Sequence, residues 1–258
     1  MILFWLVGLT IVIALSFYLA SRSMKDFKET PKKDINFTLF YVKNAFKLDS
    51  NIINKIHNLL LPSGAICSFE KLIKGQEAAL IIYGPAQIKA QLPELELVEL
   101  EDYLATPPKE GESQIPDPKK FELNKSFAWT LSSKNNDKKK LEVKSDFLKL
   151  LELNDDQKFC WQIVCHPVKT KKEDSGSGGA DGNFQVTIRC MIVDPDPVKK
   201  VELAKRMDQE IFNSTGLNKE ARQETTQQIF QDYGKRAFIP KEVSKFILNS
   251  EEIYNLIR

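Results

Sequence analysis

DSNIINKIHNLLLPSGAICSFEKLIKGQEAALIIYGP, residues 49–85, is the stretch on which the fold turns. Asp49 and Ser50 supply a helix cap. Ile52, Ile53, Ile56, Leu59 and Leu60 then recur at helical spacing and make one apolar face. Pro62–Gly64 stops that helix. Ala65–Ile73 reads as a strand, Lys74–Glu77 as a tight turn, and Ala78–Tyr83 as the returning strand. Gly84–Pro85 breaks it.

Outward from this core, Ile35–Val42 is rich in Phe, Leu, Tyr and Val and reads as a strand. Ala86–Gln91 allows a short helix, and Leu95–Leu100 a last strand. Strand, helix, strand, strand, helix, strand is the split βαβ order of a ferredoxin-like domain, here over residues 35–105. Two helices cover one face of such a sheet, and the other face needs a partner or water.

Residues 106–122 carry Pro107, Pro108, Pro116 and Pro118 and read as a Pro-rich linker. A second α+β domain, also ferredoxin-like, is expected over residues 123–258. Its strands are Phe127–Leu131, Lys158–His166 (closed by Pro167) and Phe184–Val193, with a helix opened by Ser145 or Asp146 between the first two. Ser132–Lys140 is a charged loop. Residues 169–183, with Ser-Gly-Ser-Gly-Gly, form a flexible loop. Asp194-Pro-Asp-Pro starts a helix with Val201, Ala204, Met207 and Ile211 on one face. A second helix is expected from Asn218 to Tyr233, ended by Gly234. A third is capped by Ser250, with Glu251 and Glu252 in its favourable first turn. That third helix is short and predicts more chain. The repetition is coarse: two similar folds sharing a core or a continuous surface, not a sequence repeat.

Upstream, Met1–Ala20 has no charged side chain. At 1.5 Å per residue a helix over it reaches about 30 Å, the thickness of a bilayer's hydrocarbon core. Three readings compete: a membrane anchor, a cleaved signal peptide and a buried helix. A signal peptide wants a basic stretch before its apolar core and a small-residue cleavage site. The first is absent, and no clear A-x-A pattern surrounds Ala20. The anchor is preferred. Arg22, Lys25, Lys28, Lys32 and Lys33 follow at once, in a basic juxtamembrane linker over residues 21–34. With Trp5 they define the membrane interface. They place the amino terminus outside and the body in the cytoplasm.

The formal net charge of +2 does not suggest a strong polyanion binder. The four cysteines, Cys67, Cys160, Cys165 and Cys190, have no CxxC spacing and read as small hydrophobes in a reducing compartment. Cys160 and Cys165 point to opposite strand faces, as do Cys165 and His166, which forbids a direct thiolate–imidazole pair. His57 and His166 are too distant in sequence to suggest zinc. No phosphate loop ending in Gly-Lys-Ser/Thr and no Rossmann fingerprint is present. Ser175–Gly179 is a linker. Asp194 and Asp196 belong to a helix start, and Asp155 and Asp156 to a turn without calcium-loop spacing. No catalytic, metal or cofactor residue is proposed, and no cofactor.

Glu94, Glu96, Glu99, Glu101 and Asp102 surround Leu95, Leu97, Val98 and Leu100. They read as the solvated side of a strand or, more sharply, as a docking surface for a basic partner. The Asn218–Tyr233 helix and the C-terminal helix are further candidate contacts. Trp129 and Trp161 lie on strands, where aromatics sometimes stack bases, but basic residues do not interleave with them. Core packing is expected.

Several runs then carry a family likeness: Leu141–Lys144, Ser145-Asp146-Phe147-Leu148, Trp161-Gln162-Ile163-Val164, Phe184-Gln-Val-Thr-Ile188-Arg189, and Leu248-Asn249-Ser250-Glu251-Glu252-Ile253. Together with Ala86–Gln91, Leu92-Pro93-Glu94 and Glu101-Asp102-Tyr103 they resemble the membrane-anchored N-terminal region of type IV secretion and conjugation proteins. Those proteins come from candidate-phylum (Patescibacteria-like) bacteria. There the region precedes a helicase-like conjugative ATPase domain. The resemblance implies a non-catalytic scaffold in secretion or DNA transfer, with a lipid bilayer and a conjugative ATPase, or a second copy, as partners. The ATPase's lysine motif is missing here. A nucleic-acid-binding accessory module and the N-terminal fragment of a split ATPase are the alternatives.

Overall fold

Eight register pairs, from Cys67 opposite Cys165 to Lys74 opposite Lys158, join two halves of one antiparallel sheet. The computed structural model describes residues 35–100, 126–133, 153–169, 182–219, 226–236 and 246–258. The expected Met1–Ala20 helix, the basic residues Arg22, Lys25, Lys28, Lys32 and Lys33, the Pro-rich linker, the helix near Ser145 and the body of loop 169–183 lie outside the described residues. Trp5, Glu101 and Asp102 do too. No helix among the described residues is long and apolar enough to cross a membrane.

The first half runs β1 (Phe37–Val42), α1 (Ser50–Leu60), β2 (Cys67–Lys74), β3 (Glu77–Pro85), α2 (Gln87–Gln91) and β4 (Leu97–Leu100). This is the element order read from the sequence. The second runs β5 (Ser126–Ser133), β6 (Lys158–Val168), β7 (Asn183–Val193), α3 (Pro197–Thr215), β8 (Leu217–Lys219), α4 (Thr226–Lys235), β9 (Ile247–Asn249) and α5 (Ser250–Ile257). Sheet order is β4-β1-β3-β2-β6-β7-β5-β8, with β9 beside β7. Counted outward from the β2–β6 seam, each half places its second strand first, then its third, first and fourth. The seam pairs two strands that would otherwise be bare edges open to other chains.

Strand alternation sorts the side chains onto two faces. One face carries Phe69 and Cys67 of β2, Trp161 and Cys165 of β6, and Phe184 and Cys190 of β7. Helix α1 lies there, since His57 meets the Phe184 ring edge-on at 5.0 Å. So does α5, where Nζ of Lys71 donates to the Arg258 carbonyl at 2.8 Å. Helix α1 buries Ile52, Ile53, Ile56 and Leu60. Each is worth about 1.5–3 kcal/mol over exposure, which holds a helix too short to persist alone. The other face carries Leu72, Ile81, Cys160, Met191 and Ala128, covered by Ile229 and Tyr233 of α4.

The caps follow the sequence closely. Asp49 Oδ1 accepts from the Ile52 N–H at 2.8 Å. Asp196 accepts from the Val198 and Lys199 N–H groups at the start of α3, whose first residue is Pro197. Gly216, at φ 70°, ends α3 in the left-handed region that glycine tolerates.

Other expectations are corrected. The cap of α5 is Asn249, one residue before Ser250, in a reciprocal capping box with Glu252. Pro167 lies inside β6 instead of closing it. Pairing with β2 ends at Cys165, so Pro167 has a neighbour only in β7, and a proline is tolerated on such an edge. The start of the expected Asn218–Tyr233 helix is instead strand β8, paired to β5. Helix α4 runs through Gly234 to Lys235.

Candidate functional site

Of the acidic margin expected to dock a partner, Glu99 lies on β4, the outer strand of the first half, and Glu94 and Glu96 lie just before it. Asn44 shapes its approach: its Nδ2 donates to the Glu94 carbonyl at 3.1 Å, and its Oδ1 accepts from the Glu96 N–H at 2.8 Å. Glu94 is bound by Lys55 of α1, and Lys89 of α2 reaches Glu99 at 2.8 Å. The Lys55 hydrogen bond holds the Glu94 carboxyl below the usual carboxylate range. Of the three described carboxylates, Glu96 forms no ion pair among the described residues, and it is exposed. The margin therefore presents less negative field than its sequence suggests. Its charges also discourage further pairing along β4, the last strand of the sheet among the described residues.

Beside it, the turn Ala45–Lys47 projects Phe46, which is 85% exposed. Sequence reading passed over this residue. Its signal was a lone aromatic between a strand and a helix cap, outside either apolar period.

The other two candidate contacts turn their apolar sides inward. Helix α4 spends Ile229 and Tyr233 on the sheet. Helix α5 buries Ile253, Leu256 and Ile257 and packs on α1 and β2. Their apolar sides are used within the chain.

Near the seam, on the α4 side, lies a buried polar cluster that the sequence reading also missed. Glu70 Oε1 accepts from Ser68 Oγ at 2.7 Å, Gln162 Nε2 at 3.2 Å and Arg236 Nε at 2.8 Å. Gln162 Nε2 also donates to the Tyr233 carbonyl at 3.0 Å, and Arg189 Nη1 donates to Gln162 Oε1 at 3.0 Å. Glu70, Gln162 and Arg189 are essentially inaccessible. The signal was a glutamate in Cys67–Lys74 on an otherwise mostly apolar strand. Apart from the Ser68–Glu70 bond within β2, these contacts tie strand to strand or a strand to the end of α4, so the cluster reads as an anchor for α4.

Among the described residues the remaining histidines, cysteines and aspartates form no group of three or more that could hold a metal ion. His57 is buried on α1, with Nε2 3.4 Å from the Val168 carbonyl. Its ring crowds Gly182, whose N–H donates to Asn54 Oδ1 at 2.8 Å. His166 is half-buried on the α4 side, opposite in face to Cys165. Burial lowers its pKa. Burial also pushes the Cys160, Cys165 and Cys190 thiols well up, the last with help from Asp208 of α3, so none is a poised nucleophile. Asp194 binds Gln157 at 2.7 Å and the Asp196 N–H at 2.8 Å, as part of the helix start. A cavity of about 230 Å³ between Asn154, Gln157 and the Lys199, Glu202 and Arg206 side of α3 is below the usual size of a ligand pocket. Trp129 and Trp161 are 2% and 0% exposed and offer no face to a base.

No family model matches the chain, and no curated protein matches it.

Proposed function

We propose that the chain is a membrane-anchored, non-catalytic scaffold of a type IV secretion or conjugative DNA-transfer apparatus. Its two halves would be ferredoxin-like, and its body would lie on the cytoplasmic side of a bacterial inner membrane. The observation that carries this reading is the uncharged run Met1–Ala20 followed at once by Arg22, Lys25, Lys28, Lys32 and Lys33. The strand order β4-β1-β3-β2, repeated outward from the seam in the second half, supports the split βαβ assignment. The partner would be a secretion or conjugation ATPase, or a second copy, meeting the margin of Phe46 and Glu96.

Membranes from cells carrying the full chain, tagged after Arg258, provide the test. The protein should resist alkaline carbonate, and a tag pull-down from solubilised membranes should bring down an ATPase or untagged copies of the chain. A reporter fused after Arg258 should be active only in its cytoplasmic form. Release of the body by high salt, with the first twenty residues missing, would overturn the anchor. Retention with neither an ATPase nor a second copy recovered would overturn the scaffold role.

A further inference from the structure

Four cysteines allow three complete pairings, yet the sheet brings only two of them face to face. Cys67 opens β2 and Cys165 lies opposite it on β6. Directly opposed residues of antiparallel strands have Cα atoms about 4.5–5.5 Å apart, inside the span a disulfide bridges. Both side chains point to the α1 face, both are fully buried, and their thiols lie within hydrogen-bonding reach of each other. Cys160 points to the opposite face. Cys190 shares the face of Cys165, but Cys165 pairs with Val186, four residues away along β7, or about 13 Å.

We propose that Cys67 and Cys165 form a latent disulfide that staples the two halves of the sheet across their seam. Among the described residues, β2–β6 is the sole strand pairing that joins the halves, so the bond would lock the register of that seam. The oxidant is a low-molecular-weight disulfide such as oxidised glutathione. The thiolate of one cysteine attacks its sulfur, and a glutathione thiolate leaves with a mixed disulfide formed. The second cysteine thiolate then attacks the protein sulfur of that mixed disulfide, and the second glutathione thiolate departs. The two protein thiols lose two electrons and two protons, and the oxidant emerges as two reduced glutathione molecules. Burial pushes the Cys165 thiol up and shields it, so the reaction belongs to the period when β2 and β6 are pairing. The loop closed spans roughly 100 residues, long enough for a large effect on the unfolded chain.

The test compares the full chain made in cells with an oxidising cytosol and in cells with a reducing one. Thiols are blocked during extraction, and the peptides are mapped without reduction. In the oxidising cells the Cys67 peptide should be joined to the Cys165 peptide, with Cys160 and Cys190 blocked as free thiols. The oxidised protein should unfold roughly 10 °C above the same protein treated with dithiothreitol. A Cys160→Ala/Cys190→Ala variant should form the same link, and Cys67→Ala should leave Cys165 free. Four free thiols in the oxidising cells, or a link engaging Cys160 or Cys190, would overturn the proposal.

Discussion

Arg236 and Glu70 meet across 166 positions of sequence, Nε donating to Oε1 at 2.8 Å with both side chains buried. Arg236 has a φ of 51°, a left-handed conformation that costs a non-glycine residue about 1 kcal/mol or more. Its guanidinium also lies 4.8 Å from the centre of the Tyr83 ring and donates to the Gly234 carbonyl. The end of α4 is thus fixed by one side chain to β2 and β3 of the first half.

Removing either partner should leave an uncompensated buried charge. Glu70→Ala or Arg236→Ala should cost about 3–5 kcal/mol in denaturant unfolding. The double variant Glu70→Leu/Arg236→Leu should recover much of that loss, because the desolvation cost goes with the charges. Single variants within about 1 kcal/mol of the parent would show that the pair is not an anchor.

Gly182 is packed too closely to carry a side chain. A Cβ there would lie 2.6 Å from His57 Cγ and 2.7 Å from Asn54 Oδ1. Gly182→Ala should destabilise by about 1–3 kcal/mol. Gly234→Ala, in α4 with nothing within 4 Å of the added carbon, should be neutral or stabilising by about 0.5 kcal/mol. Thermal melts of the two variants side by side decide it, and equal effects would contradict the close packing at Gly182.

Acid should weaken the fold in two windows. Burial holds the His166 pKa below its ordinary 6.5. Below that value the unfolded chain takes up a proton that the folded chain resists, so stability falls until the pH passes the folded pKa. Above 6.5 this residue adds no slope. Glu94 acts lower: its carboxyl is held below its ordinary 4.5, chiefly by the Lys55 hydrogen bond. Its contribution is present above 4.5 and is lost as pH falls through the folded value. Urea unfolding followed from about pH 8 to about pH 5 should show the first window, and His166→Gln should flatten it. An unchanged slope in that variant would assign the effect elsewhere.

All four thiols are buried, and in Cys160, Cys165 and Cys190 burial also raises the pKa. Thiol-specific reagents should therefore label the reduced native chain only as fast as it opens. The labelling rate should rise with denaturant and track loss of the sheet signal. Fast labelling of a single cysteine without denaturant would mean that one strand pair opens locally.

Local chemistry along the chain was enough to place most of the described elements. Asp49 and Asp196 cap helices through bonds made within three residues, and the Asn249–Glu252 box is equally local although the reading set that cap one residue late, at Ser250. The run Ile52, Ile53, Ile56 and Leu60 marks a buried helix face wherever that helix docks. Strands β1 to β4 announce themselves by aromatic and branched residues between turn-formers. Pro167 and the β8 segment Leu217–Lys219 misled the reading because their strand character depends on neighbours. Pro167 is tolerated because β2 has already ended beside it, and Leu217–Lys219 pairs with a strand lying far back in the chain.

Pairing between distant segments is the information that no local window contains. Cys67 and Cys165 each look like small core hydrophobes, and only the antiparallel β2–β6 register sets one opposite the other. Glu70 and Arg236 look like two ordinary surface charges until the sheet face and α4 close over them. Lys55 and Lys89 likewise drain the acidic margin of its field only because α1 and α2 lie within reach of Glu94 and Glu99. Caps and periodicities follow from covalent neighbours and backbone geometry, whereas seams, buried ion pairs and surface charge balance arise from contacts made at the end of folding.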